Sequence, residues 1–313
     1  MPYLARVVLA ISTMQTHEDI RRGMLTLDGR RVSYVCADGG QSGPTLVFLH
    51  GSGMSARYWS AQLHAHAGTA RVLAVDLPGH GESDAGATPS LARYADVTAR
   101  VIGALGAWPA LVIGHSLGGA VAIALATQRV ADVHGLVLLS TCARLPAVAT
   151  SVQWLWGSIP APLRRVLFFH SAKDLLFAAG ASPAAVALGM QELRTCRAET
   201  LAADVAIARG MDMRVAAAAL RAPTLILCGG RDRVTPPALS RHLHATIAGS
   251  QLQMVEDAGH MLLIEAPELV NRAIAEFAAS ASQRRSSPGG AVAASSTGWR
   301  HALRRLAALV QRR

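Results

Sequence analysis

The chain has 313 residues, 51% hydrophobic and 16% charged, a balance that suits a globular protein with one large α/β core plus an insertion and excludes a largely disordered chain. Its formal charge of +10 is lopsided: from Ser280 onward there are seven arginines and no acid, so residues 1–279 hold 23 basic and 20 acidic residues, a net +3 that argues against a nucleic-acid partner. Four irregularly spaced cysteines, Cys36, Cys142, Cys196 and Cys228, fit reduced thiols in a cytoplasmic protein.

At the N terminus the apolar run 7–11 is shorter than the ~7 to 15 residues of a secretory core and lacks a cleavage pattern, so residues 1–22 read as an extension rather than an export signal. Asp28-Gly29, set between β-formers, predicts an opening hairpin over 25–27 and 32–37. Further strands are expected at 45–49, 72–76, 111–113, 136–140, 224–228 and 252–255, with helical stretches between most of them. Continuous apolar strands alternating with helices predict an α/β fold, a mostly parallel eight-stranded sheet with helices on both faces. The loops at the C-terminal ends of its strands carry the site.

The strand at 111–113 runs into Gly114-His115-Ser116-Leu117-Gly118-Gly119 and out into an Ala-rich helix. This Gly-x-Ser-x-Gly turn is a nucleophile elbow, in which small residues permit a tight strand-to-helix turn that exposes the serine hydroxyl. Ser116 is the candidate nucleophile. The regular alternation then breaks over 142–220, a lid-like stretch of helical character with Trp154, Trp156, Phe168, Phe169, Met190 and Leu193 among its apolar residues.

The strand at 224–228 ends in Gly229-Gly230-Arg231-Asp232, a turn that delivers a carboxylate, and the strand at 252–255 is followed by Gly259-His260. A serine hydroxyl needs an imidazole to take its proton and a carboxylate to hold that imidazole in the right tautomer. His260 and Asp232 fill those places, with Asp257 a weaker rival three residues before His260. No metal spacing emerges, because His64/His66 and His242/His244 are two apart on predicted helices and no Cys or carboxylate cluster joins them.

After Phe277 the composition turns to that of a flexible linker, placed at 280–298. In 299–313, Trp299, Leu303, Leu306 and Val310 form a stripe flanked by arginines. This basic amphipathic helix is too short to span a bilayer and suits peripheral contact with an anionic membrane or a protein.

These motifs, in the order Ser, Asp, His, resemble the α/β-hydrolase superfamily, specifically its capped serine esterase-like branch, over roughly residues 24–279. The resemblance implies a core at 23–141 and 221–279 and a helical cap at 142–220. It implies an oxyanion hole made by the backbone N–H groups of Ser52 and Leu117, with Gly53 a possible substitute donor. It makes Asp76-Leu77-Pro78-Gly79-His80-Gly81-Glu82-Ser83 a structural turn and places Gly51, Gly53, Met54, His115, Trp154 and Met261 around a substrate pocket.

The expected activity is hydrolysis of a small-molecule carboxylic ester through an acyl-enzyme, with no cofactor and no metal. Lactone, thioester or C–C bond hydrolysis and acyl transfer use the same triad, and a ligand receptor on this fold is the non-enzymatic alternative. Serine at position 116 argues against branches built on a carboxylate nucleophile, and Gly-His-Ser-Leu-Gly-Gly differs from the Gly-Asn-Ser-Met-Gly-Gly elbow of meta-cleavage hydrolases.

Overall fold

Along one central strand Val47 and Leu49 pack to one side, Leu46 and Phe48 to the other, and all four are closed to water. A strand apolar on both faces is stable only when helices cover both sides of its sheet. A computed structural model of the protein describes residues 10–11, 20–39, 43–86, 88–146 and 159–286, and it has this arrangement.

The strands are β1 Ala10–Ile11, β2 Arg21–Leu27, β3 Arg30–Asp38, β4 Thr45–Leu49, β5 Arg71–Val75, β6 Ala110–His115, β7 Val133–Leu139, β8 Thr224–Gly229 and β9 Gln251–Val255. They form one sheet in the order β1-β2-β3-β5-β4-β6-β7-β8-β9. The pairs from β1 to β3 and the β3–β5 pair are antiparallel; all those from β5 through β9 are parallel. The eight expected strands are thus all present. The two-residue β1 is an addition, falling in the stretch read as an extension and pairing Ala10 with Met24.

On one face lie α2 (Leu91–Ala104) and α3 (Leu117–Gln128), whose Tyr94, Val101, Val121 and Leu125 join the cluster around Val47. On the other lie α1 (Ser60–His66) and the C-terminal helix, whose Leu63, Ile274 and Phe277 join the cluster around Phe48. Between β7 and β8 the described residues form four helices: α4 (Ala161–Leu176), α5 (Pro183–Thr195), α6 (Ala198–Gly210) and α7 (Arg214–Ala218). Among the described residues the remaining α-helices are α8 (Pro237–Thr246), α9 (Leu262–Glu265) and α10 (Pro267–Ser286).

Helix α10 continues past Ser280, where the linker was expected to begin, because Ala281 is buried one turn after the buried Phe277. Trp154 and the basic stretch 299–313 lie outside the described residues. Among the described residues no helix is long and apolar enough to cross a membrane.

Candidate active site

In a parallel sheet the connections reverse direction where a strand's two neighbours lead away to opposite sides, and a crevice opens there at the C-terminal strand ends. Here β4 sits between β5 and β6, so the loop from His50 to Met54 faces the β6–α3 turn. Ser116 occupies that turn with φ +52° and ψ −119°, a conformation that costs a residue with a side chain about 1–3 kcal/mol.

Three bonds hold the strained turn. The Ser116 N–H donates to the Leu139 carbonyl at 2.9 Å, and the Ser116 carbonyl accepts from Gly119 N–H at 2.9 Å and Thr141 Oγ1 at 2.7 Å. Gly114 and Gly118 permit it sterically: a Cβ on Gly118 would overlap the carbonyl oxygens of Leu49 and His50, and one on Gly114 would overlap the backbone of Gly118. The result is a half-exposed serine between the buried His115 and Leu117, with Leu117 opening α3. The first N–H groups of a helix lack intrahelical acceptors.

Asp232 follows β8 and is buried. Its Oδ1 accepts from Val234 N–H at 2.8 Å and Thr235 N–H at 2.9 Å, while Thr235 Oγ1 sits 2.8 Å from Oδ2. Burial pushes the Asp232 carboxyl up, but His260 and the Thr235 donors outweigh it and hold the group below its ordinary range. Its Oδ2 lies 2.9 Å from Nδ1 of His260, which is also buried. Since a carboxylate only accepts, Nδ1 carries the proton and Nε2 keeps a lone pair.

His260 is fixed from several directions. Its N–H donates to the Leu176 carbonyl at 2.9 Å, and its carbonyl lies 2.9 Å from His115 Nε2, which must be the protonated nitrogen of that ring. Burial, reinforced by the neighbouring His260, drops the His115 pKa to about 3, so His115 stays neutral.

Ser116 and His260 line one cavity of about 280 Å³, together with the expected Gly51, Ser52, Met54, His115, Leu117 and Met261. Its remaining wall is mainly apolar and includes Leu175, Leu176, Leu193, Leu201, Val205 and Met211 from the helical insertion. Gly53 departs from the expectation. It lines a separate small cleft, because its backbone packs under Leu193 and Leu201 rather than facing the cavity. The expected pocket residue Trp154 falls outside the described residues.

The rival carboxylates face elsewhere. Asp257 is 89% exposed and pairs with Arg231 at 2.6 Å. The buried Asp76 accepts from Ala56 N–H at 2.6 Å and Arg22 at 2.9 Å, tying the turn to its neighbours. His50 also stays inside its loop, bonding the Gly51 carbonyl and Leu77 N–H, and burial with His80 close by lowers its pKa to about 4.

Three further residues support the site. Thr235 is the readable one, since Asp-x-x-Thr is an Asx-turn spacing. Asp204, on α6, lies 2.8 Å from His80 Nε2 and 2.9 Å from Tyr94 Oη, fastening the insertion to the core. Glu265 accepts backbone N–H groups around His260. Among the described residues no group of three or more His, Cys, Asp or Glu side chains could hold a metal ion.

The sequence profile described as the alpha/beta hydrolase family matches residues 46–273. The pimeloyl-[acyl-carrier protein] methyl ester esterase of Nitrosomonas europaea is 30% identical over 243 residues, 72% of this chain and 92% of that protein. The dihydrolipoyllysine-residue acetyltransferase component of the acetoin cleaving system of Cupriavidus necator is 32% identical over 252 residues, 76% of this chain. The chain spans only 64% of that relative's length.

Among solved structures, a hydrolase from Pseudomonas aeruginosa PA01 superimposes with a TM-score of 0.72 at 28% identity, covering 83% of this chain and 98% of its own. A thermophilic esterase from Thermogutta terrifontis gives 0.71 at 25% identity, covering 89% and 100%.

Proposed function

The chain belongs to the alpha/beta hydrolase family, and from that premise we propose that it is a serine hydrolase cleaving small carboxylic esters through an acyl-enzyme. One observation carries the reading: His260 Nδ1 donates to Asp232 Oδ2 at 2.9 Å while His260 and Ser116 line the same cavity. With the Nδ1 proton held by Asp232, the Nε2 lone pair is the base available to the serine.

Ser116 Oγ attacks the ester carbonyl carbon as His260 Nε2 takes its proton. The carbonyl π pair moves onto oxygen, and the N–H groups of Ser52 and Leu117 stabilise that oxyanion. Collapse breaks the C–O bond to the alcohol, which leaves with the proton from His260. Water then attacks the acyl-enzyme, giving its proton to His260, and the second collapse returns that proton to Ser116 and releases the acid. The apolar wall of the cavity suits an apolar acyl group, and the methyl ester esterase of Nitrosomonas europaea supports an ester as the bond cleaved.

The test is hydrolysis of a short p-nitrophenyl ester together with labelling by a fluorophosphonate. Ser116→Ala is expected to abolish labelling and to lower kcat by on the order of 10³-fold or more. Near-full turnover by that variant would remove Ser116 from its role.

A further inference from the structure

Glu265 ends the short helix α9 and turns its carboxylate back over the start of that helix. Its Oε2 accepts from Gly259 N–H at 3.1 Å and from Ala178 N–H at 2.9 Å, and its Oε1 accepts from Met261 N–H at 3.1 Å. Gly259 and Met261 are the residues on either side of His260, and Ala178 belongs to the helical insertion, just after α4.

Three backbone donors on one half-buried carboxylate form a rigid fixture, since each charge-assisted bond is stronger than its neutral counterpart. Its effect falls on His260. The two peptide N–H groups that bracket the histidine are held by one side chain, while the histidine's own N–H is held by Leu176 of the insertion. Burial pushes the Glu265 carboxyl up from its ordinary value, and the three N–H donors oppose that shift.

We propose that Glu265 is a positioning residue for His260, fixing the Gly259–Met261 backbone against Ala178 of the insertion so that the imidazole meets the Ser116 hydroxyl in a productive orientation. The inference rests on the serine-hydrolase reading. Glu265 touches no reacting atom. A loosened backbone displaces the base, and a misplacement of about 1 Å costs up to about 100-fold in rate.

The experiment compares full-length wild type with Glu265→Gln and Glu265→Asp. The amount of competent enzyme is fixed by exhaustive titration with a fluorophosphonate, and kcat and KM for a p-nitrophenyl ester are then expressed per titrated site. A glutamine oxygen replaces only part of the carboxylate, and aspartate is one methylene too short to reach all three donors. Both variants are expected to lose about 10- to 100-fold in kcat per titrated site with KM within about twofold. A residue that only stabilises the fold would reduce the titratable fraction and leave kcat per site unchanged, and that result overturns the inference. If Glu265→Gln yields no folded protein, Glu265→Asp is read by the same criterion. Failure of wild type to label or turn over would sink the serine-hydrolase reading instead, so the two failures are distinct.

Discussion

His260 Nδ1 and Asp232 Oδ2 are 2.9 Å apart, with only 4% and 0% of the two side chains open to solvent. At that distance and burial the carboxylate dictates the tautomer of the ring. Asp232→Asn keeps an oxygen to accept from Val234 and Thr235, so the turn is retained, but its amide NH₂ would face Nδ1 and drive the proton to Nε2. The expected loss in kcat is on the order of 10³- to 10⁴-fold with an unchanged circular dichroism spectrum. Steady-state kinetics on a p-nitrophenyl ester checks this, and a loss under tenfold would contradict the assigned role.

Gly118 has no room for a methyl group, because the obstacles are the main-chain oxygens of Leu49 and His50 rather than flexible side chains. Gly118→Ala must therefore push α3 away from β4. Urea unfolding should show a loss of about 1–3 kcal/mol or more, and fluorophosphonate labelling should slow because Ser116 moves with the helix. Unaltered stability together with unaltered labelling would show that the turn has slack that the packing denies.

His80 and Asp204 form a closed pair at 2.8 Å, with side-chain exposures of 1% and 0%, and join the loop after β5 to α6. His80→Ala leaves the Asp204 carboxylate with Tyr94 as its hydrogen-bond donor. The expected cost is about 3–5 kcal/mol in urea unfolding. Because α6 also carries Leu201 and Val205 into the cavity wall, KM should rise as the helix loosens. A variant with native KM and native stability would show that other contacts alone seat this helix.

Acid should destabilise the fold well above the carboxylate range. Unfolded imidazoles protonate near pH ~6.5, whereas burial delays His115 to about 3 and His50 to about 4. Between those limits the unfolded chain binds more protons than the folded one, so stability falls as pH drops from about 6.5. Glu265, raised by burial, works in the opposite sense. His115→Gln keeps a donor for the His260 carbonyl and removes the titration. Its unfolding free energy, measured from pH 7 to pH 5, should decline less steeply than wild type, by up to about 1.4 kcal/mol per pH unit. Parallel slopes would rule the effect out.

The parts of this architecture written into neighbouring residues were legible. Ser116, Asp232 and His260 each sit in a turn whose glycines follow a strand, and the central strands declare themselves as short apolar runs. Strand ends were less so: β7 begins at Val133 rather than 136, and its register with β6 is irregular at Ala110 and Leu111. What stayed hidden depends on residues far apart in the chain. His80 meets Asp204 across 124 positions and Ala178 meets Glu265 across 87, and no spacing rule reports contacts of that length. The two-residue β1 is too short to carry a period.

Helix α6 turns Thr200 and Asp204 toward the loop after β5, while Leu201, Val205 and Ala208, a turn apart in succession, border the cavity. Attachment and cavity lining thus occupy different stripes of one rod. Substitutions along the second stripe reshape the cavity while the first keeps the rod seated on the core.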